Sequence, residues 1–136
     1  MQVELVSPER ILWTGEAQLV LARTIGGGDI AFLTGHAPFV GALDIWTVVV
    51  RAEDGTDEVI AVHGGFIEVS NDRVTVLSDV AEVSSQIDVD RARAAQERAE
   101  AAVRAGGDDV EEAEDALRRA GVRLEAASGA STISAH

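Results

Sequence analysis

The chain contains no cysteine and no lysine. The first absence removes disulfide frameworks, thiolate zinc sites and thiol nucleophiles, and leaves a composition compatible with a cytosol. The second removes the lysine of a phosphate-binding P-loop and any Schiff-base mechanism. All 11 basic residues are therefore arginine. No apolar run approaches the roughly 20 residues that a membrane-crossing helix needs. The N-terminus alternates around Glu4, where a signal sequence would place a basic segment and then an apolar one. Direct membrane insertion is not expected, and any membrane association should come through partners. Positive charge is scarce: 24 acids against 11 arginines give a net charge of −13. Residues 1–86 hold 13 acids and four arginines, giving −9, and residues 87–136 hold 11 acids and seven arginines, giving −4. That balance argues against nucleic-acid binding.

What is present changes period at Ile87. Before it, Gln18 to Ala22, Ile45 to Arg51, Val59 to His63, Phe66 to Val69 and Arg73 to Leu77 are short β-branched runs that read as strands of about five or six residues. Turn formers separate them at Gly26-Gly27-Gly28-Asp29, Asp54-Gly55, Gly64-Gly65 and Asn71-Asp72. After it, Ala92, Ala95, Ala99 and Ala102, then Val110, Ala113, Leu117, Ala120 and Leu124, recur in threes and fours and mark apolar stripes on two helices. Ser85 with Asp88 resembles a capping box, and Gly106-Gly107-Asp108-Asp109 breaks one helix and opens the next. The expected fold is α+β: an N-terminal antiparallel β-sandwich over residues 1–86, then an antiparallel two-helix hairpin over 87–127. Residues 128–136 read as a fraying, flexible tail.

No catalytic constellation is visible. His36 sits in a turn ending at Pro38, His63 ends a strand and His136 is terminal, so neither a His-x-x-x-His metal pair nor a nucleophile elbow exists. Neither a catalytic residue nor a metal site is expected. The triple glycine at 26–28 precedes the strand-like Ile30 to Leu33 instead of a helix, which suits a hairpin turn and not a phosphate cradle. Trp13 and Trp46 read as sandwich core or as interface anchors.

Four blocks carry a resemblance. They are Gly28-Asp29-Ile30-Ala31-Phe32-Leu33-Thr34-Gly35-His36-Ala37-Pro38, Val62 to Val69 with its Gly-Gly-Phe, Val74 to Asp79, and Ile87-Asp88-Val89-Asp90-Arg91-Ala92. In this order they resemble the epsilon subunit of the bacterial F-type ATP synthase over nearly the whole chain. Thr34 stands where proline is usual, Ala31 where glycine is usual, and Asp44-Ile45-Trp46 replaces a glycine-containing turn. The resemblance implies a non-catalytic central-stalk subunit, peripheral at the cytoplasmic face of the bacterial plasma membrane. Its implied partners are the gamma subunit and the c ring, with alpha and beta subunits contacted when the helices extend. Asp29 would approach the c ring and His36 would lie near gamma; Asp29 as a plain turn residue is the alternative. The helical hairpin would restrain ATP hydrolysis when extended and permit turnover when folded back. No cofactor is required on this reading. An unrelated sandwich adaptor with a helical dimerisation arm is the competing class.

The hairpin stripes give an independent reason to expect movement. Burying a leucine contributes roughly 1.5 to 3 kcal/mol, and ordering backbone costs on the order of 1 to 2 kcal/mol per residue. Alanine-rich helices with few large anchors must borrow stability from the surface on which they dock. By resemblance, Ile87, Asp88, Arg91 and Ala92 form a nucleotide motif used by some members of this family, with Glu82 upstream and Arg98, Arg119 and Arg123 available for a triphosphate. ATP would then be a regulatory ligand. The alternative assigns Asp88 to helix capping and pairs Glu100 with Arg104, Glu114 with Arg118 and Asp115 with Arg119 in solvent.

Overall fold

The computed structural model describes residues 1–129. The elements are β1 Gln2–Val6, β2 Ile11–Glu16, β3 Leu19–Thr24, β4 Gly28–Leu33, β5 Phe39–Arg51, β6 Asp57–Ser70, β7 Arg73–Leu77, β8 Ala81–Val83, a 3-10 turn Ser84–Gln86, α1 Val89–Ala105 and α2 Val110–Ala127. The strands run in the order β2-β1-β7-β6-β5-β3-β4, with β8 also paired to β6. Every pairing is antiparallel except β1 with β7, which is parallel. That pair joins the start of the domain to residues some seventy positions later, so no local turn signal announces it. The expectation for residues 128–136 lies, beyond Gly129, outside the described residues.

Two strands are more than twice the expected length. β5 has 13 residues and β6 has 14, paired from Phe39 with Val69 to Arg51 with Asp57. Gly64-Gly65, read from sequence as a turn, instead lies inside β6. There the chain bends without ending. Gly64 and Gly65 have φ of 83° and 124°, where side chains are strained. The bend reverses which face points inward: Ile60 and Val62 enter the main core before it, Ile67 and Val69 after it. β5 does the same opposite, with Val48 and Val50 inward on one side of Asp44 and Leu43 inward on the other. One ribbon thereby serves both layers of the sandwich, and β6 exchanges β8 for β7 as its second neighbour.

The core between the layers is built from Val3 and Leu5, Val20 and Ala22, Phe32, Val74 and Val76 together with those β5 and β6 residues. A second apolar cluster forms outside it. Val49, Val59 and Ala61, on the outward face of the first half of β6 and its partner, are covered by Val122 and Ala126 of α2, with Leu21, Ile45, Trp46 and Ile87 at the margin. The Arg23 guanidinium lies 4.3 Å from the Trp46 ring centroid. α1 packs on α2, burying Ala92 and Ala99, and α2 packs on β5 and β6. The hairpin is therefore folded back on the sandwich through one helix.

The capping expectation needs correction. Asp88 itself caps α1, accepting a hydrogen bond of 3.1 Å from the Arg91 backbone N–H, while Ser85 belongs to the 3-10 turn. Gly106, at φ 70°, ends the helix as expected.

A Cβ on residue 65 would lie 2.1 Å from the Leu77 carbonyl oxygen. Gly65→Ala should therefore destabilise the sandwich by more than about 2 kcal/mol, through strain and a forced separation of β6 from β7. Chemical denaturation of the full chain measures this.

Candidate functional site

A cleft of about 440 Å³ opens where β8, the 3-10 turn and the two helices meet, lined by Glu82, Gln86, Asp88, Arg91, Ala92, Ala95, Arg98 and Arg123. The fold brings these together from three directions. β8 projects Glu82 onto the α2-covered face, because it pairs Ala61 opposite Glu82. Asp88 fixes the first turn of α1, and helical spacing then sets Arg91, Ala95 and Arg98 along one side of that helix. α2 supplies Arg123 beside the buried Val122.

Glu82 is the hub. Its Oε1 accepts a hydrogen bond of 2.7 Å from Arg123 Nε and lies 3.2 Å from His63 Nε2. His63 shares the outward face of β6 with Val59 and Ala61, since strand side chains alternate. Its side chain is 4% exposed, and Nδ1 has no hydrogen-bond partner. Burial lowers the His63 pKa below the usual histidine range, the nearby Arg123 adds to this, and Glu82 opposes it. Arg91, Arg98 and Arg119 make no ion pair among the described residues, so the cleft presents unneutralised guanidinium groups within an acidic chain.

Of the residues singled out from sequence, Glu82, Asp88, Arg91, Ala92, Arg98 and Arg123 all line this cleft. Ile87 does not; it packs at the edge of the second apolar cluster. Arg119 lines the adjoining groove between α1 and α2, which also takes in Ala95, Arg98 and Arg123. The expected local pairing is only partly present. Glu100 and Arg104 are 4.0 Å apart, but Asp115 bonds Arg118 instead of Arg119, and Arg118 also approaches Asp44 at 4.0 Å. Asp29 is not a loop tip: it lies on β4 opposite Arg23 and pairs with it at 2.8 Å. His36 stands edge-on to Phe32, with ring centroids 4.9 Å apart. Gln86 was not singled out from the sequence, and His63, read there as the end of a strand, lies inside β6. Its face was open to discovery, since it continues the Val59 and Ala61 alternation.

Two family models match in tandem: the ATP synthase delta/epsilon chain β-sandwich domain over residues 1–84, and the delta/epsilon chain long α-helix domain over residues 85–128. The chain belongs to this family. It is similar to the ATP synthase epsilon chain of Streptomyces avermitilis, 44% identical over 128 residues, covering 94% of this chain and 95% of the relative. The ATP synthase epsilon chain of Streptomyces griseus is 43% identical over 126 residues, covering 93% and 94% respectively. Among solved structures, a chain of the Euglena gracilis mitochondrial ATP synthase superposes with a TM-score of 0.80 at 25% identity, over 93% of this chain and 79% of that one. Family membership makes this a non-catalytic epsilon-type subunit of the F-type ATP synthase central stalk, part of the synthase complex. It displaces the reading as an unrelated adaptor. No helix among the described residues is long and apolar enough to cross a membrane.

The Glu82 bridge ties α2 to β8 with both side chains about 30% exposed, a setting in which such a pair contributes about 1 kcal/mol. Glu82→Gln should therefore raise the rate of tryptic cleavage at the hairpin arginines roughly fivefold, since cleavage follows the population of the opened form. The strands should remain as resistant as before.

Proposed function

We propose that this subunit couples gamma to the c ring through its sandwich, residues 1–86, and regulates ATP hydrolysis through a movable hairpin, residues 87–127, whose folded state is stabilised by ATP. The observation that carries the regulatory reading is the make-up of the cleft. It exists only while the hairpin is docked, because Arg91 and Arg98 come from α1, Arg123 from α2 and Glu82 from β8. A ligand held by all three elements stabilises the docked state by mass action and adds nothing to a released one.

The chemistry fits a nucleoside triphosphate. Arg91, Arg98 and, along the adjoining groove, Arg119 and Arg123 offer forked donors to phosphate oxygens. Asp88 and Glu82, which line the same cleft, would accept from base or ribose through their remaining oxygens. Ile87 supports the motif from below as a packing residue.

The sandwich supports the coupling reading through its bare side. Beyond the glycine bend the outward face of β5, β6 and β7 carries Val40, Phe66 and Leu77, 70%, 57% and 42% exposed, with Leu77 and Phe66 directly paired. Contiguous exposed apolar side chains of this kind suit a protein partner. Gamma would sit here, near His36, and the β3–β4 turn with exposed Ile25, followed on β4 by the Arg23-paired Asp29, would face the c ring. Alpha and beta would be reached only by a released hairpin. The subunit would be peripheral at the cytoplasmic face of the bacterial plasma membrane, held there by these partners.

Calorimetry on the full chain tests the ligand. ATP should bind with measurable heat at millimolar concentration or below, and Arg91→Ala or Arg98→Ala should each weaken binding about tenfold, the loss expected for one charge-assisted contact. Absence of heat at millimolar ATP would leave the arginines as a solvated face and remove nucleotide from the reading.

A further inference from the structure

Beside this site, hydrogen-bonded to Glu82, lies His63, which the proposed function does not use. It occupies the docked interface with one buried nitrogen unpartnered, and shares a single carboxylate oxygen with the arginine that ties α2 down. We infer that His63 is a proton-operated latch: protonation of this side chain releases the helical hairpin from the sandwich.

The argument is one of linkage. With α2 docked, His63 is enclosed among Glu82 on β8 and Arg123 and Arg119 on α2, with uncharged Ile45 paired to it on β5 and uncharged Ser84 to Gln86 in the turn above. A neutral imidazole can donate from Nε2 to Glu82 and leave Nδ1 as a bare lone pair. A protonated one must bury an Nδ1–H with no acceptor, close to two guanidinium groups. Burial accordingly holds the docked pKa below the ordinary histidine value, with Arg123 and Arg119 acting in the same direction.

Lifting α2 removes both arginines and admits water, so the released state titrates in the ordinary range near 6.5. The released form therefore binds a proton that the docked form refuses. Docking is fully favoured above that range and weakens as pH falls through it toward the depressed docked value. Protonation also places a positive charge beside Arg123, which shares the same Glu82 oxygen. Acidification would then release the hairpin and throttle hydrolysis.

This inference rests on the proposed hairpin movement, and the experiment separates the two. The absence of cysteine allows two spin labels, at Glu53→Cys in an exposed turn and Ala101→Cys on the exposed side of α1, with distances read by pulsed electron resonance on the full chain. Near pH 8 one distance should dominate. Near pH 5.5 a second, longer distance should appear, the docked-to-released ratio falling at least about threefold. His63→Gln, which cannot titrate, should hold the ratio constant across the same pH range, and circular dichroism establishes that it is folded.

Val122→Asp breaks the apolar contact directly and should show the released distance at pH 8. If it does while the unsubstituted protein ignores pH, or if His63→Gln responds to pH as the unsubstituted protein does, the latch is wrong and movement stands. If Val122→Asp stays docked, the movement fails and the latch with it.

Discussion

The folded-back hairpin depends on one narrow contact: Val122 and Ala126 of α2 set against Val49, Val59 and Ala61, with Arg123 tied to Glu82 at the rim. α1 packs on α2 and inherits its position. Fully burying a valine contributes roughly 1.5 to 3 kcal/mol, and an alanine less. An ion pair about 30% exposed adds about 1 kcal/mol at most. Seventeen and eighteen helical residues are therefore placed by a small apolar patch, and their seam is formed largely by alanines such as Ala92, Ala99, Ala113 and Ala120. Contacts of this size suit an element whose position neighbours can decide.

The sandwich is built the other way. Its 13- and 14-residue strands run through both layers, and the Gly64-Gly65 bend turns their buried sets over halfway along. The outward face is thereby divided in two. One half, before the bend, receives α2; the other, carrying Val40, Phe66 and Leu77, stays open. A rigid two-sided platform bearing a lightly held arm is a sensible form for a rotor subunit. The same bend carries His63 to the end of the docked half, beside Glu82.

Much of this was legible in the sequence, because the signals are local. The change from alternation to threes and fours at Ile87, the Gly106-Gly107 break and the Asp88 start each fix an element by its own residues. That Glu82, Asp88 and Arg91 gather was implied by the resemblance alone; spacing added only that Arg91 and Arg98 share a helix face. What was not legible is long-range. The parallel β1–β7 pair has no turn to announce it. Two consecutive glycines at positive φ look alike in sequence whether they end a strand or bend it, and only the Leu77 carbonyl against Gly65 decides. Val122 escaped notice because the stripe Ala113, Leu117, Ala120 and Leu124 was the stronger pattern, and the sandwich contact at Val122 and Ala126 lies off it. Asp115 has Arg118 and Arg119 at the two neighbouring helical spacings, and it is Arg118, which also approaches Asp44 across the interface, that pairs with it.

The central claim is that the arm opens far more readily than the platform beneath it. Native-state amide hydrogen exchange over the full chain, without partners or nucleotide, tests this most directly. The account predicts that residues 89–127 exchange through an opening at least tenfold more populated than that of β5 and β6. Equal protection of α1, α2 and those strands would mean one cooperative unit and would contradict it.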